Sequence, residues 1–202
     1  PLISKDDKSE IIKYVNSGGW IIEHKKNKIF EEQFKKITNS KNAITFPNGT
    51  LSIVSILLAL DIKKNDEVIV PNYTMVATAN AIKLIGARPI LCDISKNDLC
   101  LDPIKLNKKI NKKTKAVIYV TLNGRSGQID KIQNICRNKK IFLIEDSAHS
   151  IGSYYKKKHH GNFSIASSFS FSMPKIITTG QGGMVISNNK QLSKKLRLIK
   201  NF

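Results

Sequence analysis

Lys175 stands apart from the other basic residues of this 202-residue chain. Only Arg88, Arg125, Arg137 and Arg197 are arginine; the remaining basic residues are lysines, most of them in polar stretches that read as solvated surface. Lys175 instead follows Ser168-Phe169-Ser170-Phe171-Ser172-Met173-Pro174 and precedes Thr178-Thr179-Gly180-Gln181-Gly182-Gly183. No other charged residue lies within ten positions on either side. An amine withdrawn from water has a depressed pKa and becomes a usable nucleophile. The glycine-rich run precedes an apolar stretch, the reverse of the strand-then-glycine order of a dinucleotide loop.

Two other places are polar where a plain sheet protein need not be. Ile141-Phe142-Leu143-Ile144 runs into Glu145-Asp146. An aspartate at a strand end can hold magnesium in a nucleotide hydrolase, but that reading wants a GxxxxGK[ST] loop, and the sequence contains none. It can also cap a following helix, or face the cationic ring nitrogen of a cofactor. Asn48-Gly49-Thr50 leads into the apolar run LSIVSILLAL. Free amides at such a helix start bind a phosphate, aided by the helix dipole. The plainer reading is an N-cap made by Asn48 or Thr50. All three places suit a ligand site, because α/β folds bind ligands at strand C-termini and helix N-termini.

The elements that must carry these residues follow from the apolar pattern. Strand candidates lie at 67–70, ended by Pro71, and at 89–92, 116–121, 141–144, 167–171 and 183–187. Helical patterns fall near 50–60, 75–85, 103–110, 128–138 and 189–199. Strands without clean alternation, separated by helices, predict a mostly parallel sheet covered on both faces. The fold class is therefore α/β in three layers. Residues 1–40 read as helical segments around a Gly18-Gly19-Trp20 break.

The stretches FPNGTLSIVSILLALDIKKNDEVIVPNYTMVATANAIKLIGARPILCDI, IEDSAHSIG and FSFSMPKIITTGQGGMVISNN together resemble the DegT/DnrJ/StrS family of sugar aminotransferases, in the fold-type-I group of pyridoxal phosphate enzymes. The similarity runs from about residue 10 to the end, with all three blocks in order and at matching spacing. The resemblance implies that Lys175 holds the cofactor covalently and that Asp146 keeps its pyridine nitrogen protonated. It implies that Ser170, five positions before the lysine, binds the cofactor phosphate together with Gly49 and Thr50. His149, three after the aspartate, is expected at the cofactor's phenolic oxygen; a plain packed histidine is the competing reading. Met75 departs from the aromatic residue that many members stack on the cofactor face. A thioether can still lie against a ring, as a weaker contact. Trp20 resembles a segment near the substrate, without an assignable role. Relatives that act as dehydratases carry His in place of the lysine, so Lys175 argues against that branch.

The implied organisation is a helical segment over 1–40 and a cofactor-binding large domain over 41–202. The resemblance also implies a smaller C-terminal domain, which is expected to be absent from this chain. The chain starts at Pro1 without a methionine and stops at Phe202 just after a helix-like run, so a fragment is expected. The implied substrates are glutamate and a nucleotide-linked keto sugar, with another fold-type-I activity (a lyase or an amino-acid aminotransferase) or a non-catalytic cofactor-binding regulator as the alternatives, and the implied assembly is a homodimer.

Composition limits the alternatives. A hydrophobic share of 41% supports a real core. No apolar stretch is long enough to span a membrane, and the start is too polar for a signal peptide. Cys92, Cys100 and Cys136 are odd in number and form no CxxC pair, which argues against a disulfide framework or a zinc site and fits the cytoplasm. The net charge of +19 is spread over lysines along the whole chain. Arginine, the preferred residue for forked contacts to phosphate and guanine, is scarce. The charge is read as compositional bias, and neither nucleic acid, membrane nor metal is expected as a partner.

Overall fold

The structure, a computed structural model, describes residues 3–18 and 25–201. Trp20 lies outside them. Two helices come first, α1 (Lys5–Asn16) and α2 (Lys25–Thr38). From residue 42 the order is β1 (Asn42–Phe46), α3 (Gly49–Ala59), β2 (Glu67–Pro71), α4 (Val76–Leu84), β3 (Arg88–Cys92), α5 (Pro103–Lys109), β4 (Thr114–Val120), α6 (Ile129–Lys139) and β5 (Phe142–Asp146). A short hairpin of β6 (Tyr154–Tyr155) and β7 (Lys158–His159) follows, then β8 (Ala166–Ser170), β9 (Gly183–Ser187) and α7 (Lys190–Lys200).

The seven-stranded sheet has the order β1-β9-β8-β5-β4-β2-β3. Strands β8, β5, β4, β2 and β3 pair in parallel. β9 pairs antiparallel with both β8 and β1. β1 therefore runs with the parallel set, and β9 is the one reversed strand of this sheet. This is the mostly parallel, three-layer α/β fold that the sequence pattern predicts. The differences are local. β1 was not expected, because its partner lies far along the chain. β4 starts at Thr114 and ends at Val120 rather than covering 116–121. β5 runs through both acids to Asp146, so they belong to the strand instead of following it.

The pleat sorts successive side chains to opposite faces. Val68, Val70, Ala116, Ile118, Ile144, Ala166 and Val185 pack in one cluster with Ile53, Ile56 and Leu57 of α3, Ile82 of α4 and Leu196 of α7. Ile69, Val117, Tyr119 and Leu143 face the other way, against Leu106 of α5 and Ile129 and Ile132 of α6. The same second face is covered at its other end by α2. There Phe34 packs on Ala43, Phe169, Phe171, Met184 and Ile186. Each fully buried side chain of this size contributes about 1.5–3 kcal/mol, so cores on both faces hold the sheet rigid. Strands β1, β2, β4, β5 and β8 all end at one edge. Because β9 is reversed, the glycine-rich loop that leads into it reaches that edge too.

Candidate active site

A cavity of about 1020 Å³ opens at this edge. Its walls bring together all seven residues singled out from the sequence: Gly49, Thr50, Met75, Asp146, His149, Ser170 and Lys175.

The Phe-Ser alternation of β8 explains one wall. Phe169 and Phe171 turn towards α2, where their rings meet Phe34 at centroid distances of 5.0 and 5.6 Å. Such edge-on pairs are worth about 0.5–1.5 kcal/mol beyond burial. Ser168 and Ser170 consequently turn the other way, towards α3. The Ser168 hydroxyl donates to the Gly49 carbonyl at 3.0 Å. Gly49 comes so near that a Cβ on it would stand 3.0 Å from Ser170 Cβ. At Gly183 the approach is closer still: a Cβ there would meet the Asn48 carbonyl oxygen at 2.4 Å. Glycine at this position lets β9 begin directly beneath the start of α3.

Asn48 caps α3. Its Oδ1 accepts the Leu51 amide at 2.8 Å, and its carbonyl accepts the Ser52 amide at 3.0 Å. The cap reading therefore holds for Asn48. The Gly49 and Thr50 amides, which helix geometry leaves without an intrahelical acceptor, find none among the described residues. The capping and anion-binding readings are thus compatible, each with its own groups.

Asp146 closes β5 and is 7% exposed. Thr78 Oγ1 donates to its Oδ2 at 2.7 Å, and the Ala148 amide donates to its Oδ1 at 3.2 Å. No helix follows β5, so Asp146 is not a helix cap. Among the described residues no group of three or more His, Cys, Asp or Glu side chains is arranged to hold a metal.

Lys175 sits in the loop between β8 and β9, its amide donating to the Ser172 carbonyl at 3.0 Å. Burial pushes its amine below the ordinary lysine pKa, and the nearby Asp146 charge works in the opposite direction. His149 is also pushed down, first by burial and then by the Lys175 charge, with Asp146 again opposing. The three groups share one electrostatic environment. Asn123, in the left-handed region at φ 51° that asparagine tolerates, donates its amide to His149 Nδ1 at 3.4 Å. A neutral imidazole so engaged carries its proton on Nε2. Met75 stands at the rim, 65% exposed, as the N-cap residue of α4.

Thr78 and Asn123 were not singled out from the sequence. Their signals are weak: Thr78 lies one helical turn after Thr74, and Asn123 is a polar residue beside a glycine after a strand. Tyr73, Ser172 and Gln181 also line the cavity without having been expected there.

These groups fit pyridoxal phosphate. An amine whose pKa burial lowers, a buried carboxylate for a ring nitrogen, and two orphan amides beside a serine hydroxyl belong to residues that line one cavity. At Gly49 there is room for hydrogen and little more.

The DegT/DnrJ/EryC1/StrS aminotransferase family model matches residues 2–202. An aminotransferase from Psychrobacter cryohalolentis is 31% identical, with a TM-score of 0.96, over 100% of this chain and 51% of its own. PseC of Helicobacter pylori, an aminotransferase involved in the biosynthesis of pseudoaminic acid, is 33% identical, with a TM-score of 0.91, over 98% of this chain and 53% of its own. Spr1654 of Streptococcus pneumoniae, with structures in PLP and PMP forms, is 28% identical, with a TM-score of 0.92 over 98% of this chain; the match covers 56% of the PLP-form chain. The chain spans about half the length of these solved structures. It belongs to the DegT/DnrJ/EryC1/StrS aminotransferase family, whose cofactor, pyridoxal phosphate, matches the chemistry of the cavity.

Proposed function

We propose that this chain is the cofactor-binding large domain, residues 41–202 behind the helical segment 1–40, of an enzyme that moves an amino group from L-glutamate to a nucleotide-linked keto sugar. The observation that carries the reading is the shared cavity of Lys175 and Asp146, where burial lowers the Lys175 pKa. Bound there, pyridoxal phosphate supplies a protonated ring that accepts the electron pair left at the substrate carbon.

The chain's own residues divide the remaining work. The Gly49 and Thr50 amides and the Ser170 hydroxyl hold the phosphate. The Asp146 carboxylate holds a proton at the ring nitrogen. His149 would meet the phenolic oxygen through Nε2, and Met75 would offer the ring a thioether contact. Lys175 Nζ, once free, takes the α-proton of the amino donor and returns a proton later in the same turnover, as base and then acid. One lysine serves both halves of the exchange, so the kinetics are ping-pong.

The sugar assignment is supported by the role of PseC in its own pathway. The described cavity walls include no arginine. The carboxylates of glutamate and the phosphates of a nucleotide then need charge partners from elsewhere, which supports a homodimer with a smaller second domain at the site. Cys92, Cys100 and Cys136 are free and buried, which supports a reducing, cytoplasmic setting. No helix among the described residues is long and apolar enough to cross a membrane.

The test is product analysis with the intact protein. Incubation with cofactor, glutamate and a nucleotide-linked keto sugar should give 2-oxoglutarate and an amino sugar in equal amounts. Cofactor binding without any exchange from glutamate would instead identify a non-catalytic sensor.

A further inference from the structure

We infer that Thr78 is a positioning residue for Asp146, and that it acts as the middle member of a hydroxyl chain running from Thr74 at the cavity wall. The inference rests on the reading of Asp146 as the group that faces the cofactor ring. Thr78 is fully buried on α4. Its Oγ1 lies 2.7 Å from Asp146 Oδ2 and 3.2 Å from Thr74 Oγ1. A hydroxyl has one proton to give, and an ionised carboxylate can only accept. Thr78 must therefore donate to Asp146 and accept from Thr74, which fixes the direction of the chain. Thr74 itself lines the cavity.

The carboxylate of Asp146 is thus held by two donors from separate segments. Thr78 takes one oxygen from α4, and the Ala148 amide takes the other from the turn after β5. Losing the Thr78 hydroxyl frees the carboxylate to turn about the remaining bond, away from the orientation in which it meets a ring nitrogen. Thr74 and Met75 lie on the same short segment between β2 and α4. The hydroxyl chain thus links a residue of the cavity wall, Thr74, to Asp146.

Three variants of the intact protein test this. Thr78→Val keeps the shape and removes the hydroxyl, Thr78→Ala removes both, and Thr78→Ser keeps the hydroxyl alone. The measurements are the dissociation constant for pyridoxal phosphate by fluorescence titration, the melting temperature of the cofactor-free protein, and kcat and KM for glutamate. Thr78→Val should bind the cofactor about tenfold more weakly and lose about tenfold or more in kcat, as expected for a hydrogen bond to a charged group. KM for glutamate should stay within about threefold, and Thr78→Ser should stay within about threefold of wild type throughout. If Thr78→Val does not fold, Thr78→Ala compared with Thr78→Ser isolates the same hydroxyl. Wild-type affinity and turnover in Thr78→Val, or in Thr78→Ala where it stands in, would overturn the inference. So would a Thr78→Ser variant as impaired as the hydroxyl-free ones, because packing would then be the cause. A wild-type protein that takes up no pyridoxal phosphate would overturn the functional reading itself. A protein that binds and transaminates normally while Thr78 proves indifferent would overturn only the role of Thr78.

Discussion

Glu145 and Asp146 are consecutive on β5, yet they end on opposite faces of the sheet in unlike surroundings. Glu145 is fully buried. Its carboxylate accepts the amides of Gly161 and Phe163 at 2.8 and 2.9 Å and the Ser164 hydroxyl at 3.0 Å. His160 lies beside it at 3.7 Å, also fully buried, with Nδ1 lacking a hydrogen-bond partner among the described residues. Glu145 therefore braces the 161–164 turn against the sheet. Asp146 accepts one hydroxyl and one amide and also borders an open cavity. The pleat alone separates a brace from a functional group. Burial of a charge does not mark a site by itself; acceptor capacity left over towards a cavity does.

The comparison breaks most visibly at Asp146. Asp146→Ala should lower amino transfer by on the order of 10³-fold, because the electrostatic partner of the ring is gone, with a smaller loss of stability than at Glu145, because two donors rather than three lose their acceptor. Near-normal turnover would erase the distinction between the two acids. Glu145→Ala should do the opposite. It strands three buried donors, so the fold should lose roughly 2–4 kcal/mol in denaturant titration. Turnover per folded molecule should stay within about threefold. A Glu145→Ala variant as stable as wild type would deny the bracing role.

A smaller effect sharpens the electrostatics. Burial lowers the Lys175 pKa from 10.5, and Asp146 pulls it back up. The neutral amine is the reactive form, so its rate of labelling by an amine reagent should rise with pH through the lowered pKa. Asp146→Asn removes the opposing attraction, and the rise should move to lower pH. The measurement is the pH profile of Lys175 labelling in the cofactor-free protein, read by mass spectrometry. An unchanged profile would mean that Asp146 and Lys175 do not sense each other, and a rise displaced to higher pH would contradict the sign of the attraction.

Much of this site was readable before any coordinates. Lys175, Asp146 and the Asn48–Thr50 start stood out because charge or small polar residues interrupt apolar patterns there. The sheet class followed from strands too apolar to have a wet face. What escaped was set by contacts distant in sequence. β1 pairs with β9, Ala43 opposite Ile186, and five residues after a lysine-rich helix carry no sign of that. Thr78 reaches Asp146 across 68 positions, and a threonine in an apolar helix looks the same whether or not a carboxylate waits beside it. Glu145 reads as Asp146 does until the pleat assigns each its face.

The central claim is that one amine among the chain's 30 lysines holds pyridoxal phosphate. Borohydride reduction of the cofactor-loaded protein, followed by peptide mass spectrometry, tests it directly. The account predicts a phosphopyridoxyl group on the peptide containing Lys175 and on no other, and none in Lys175→Ala. Modification of other lysines with Lys175 untouched would contradict it.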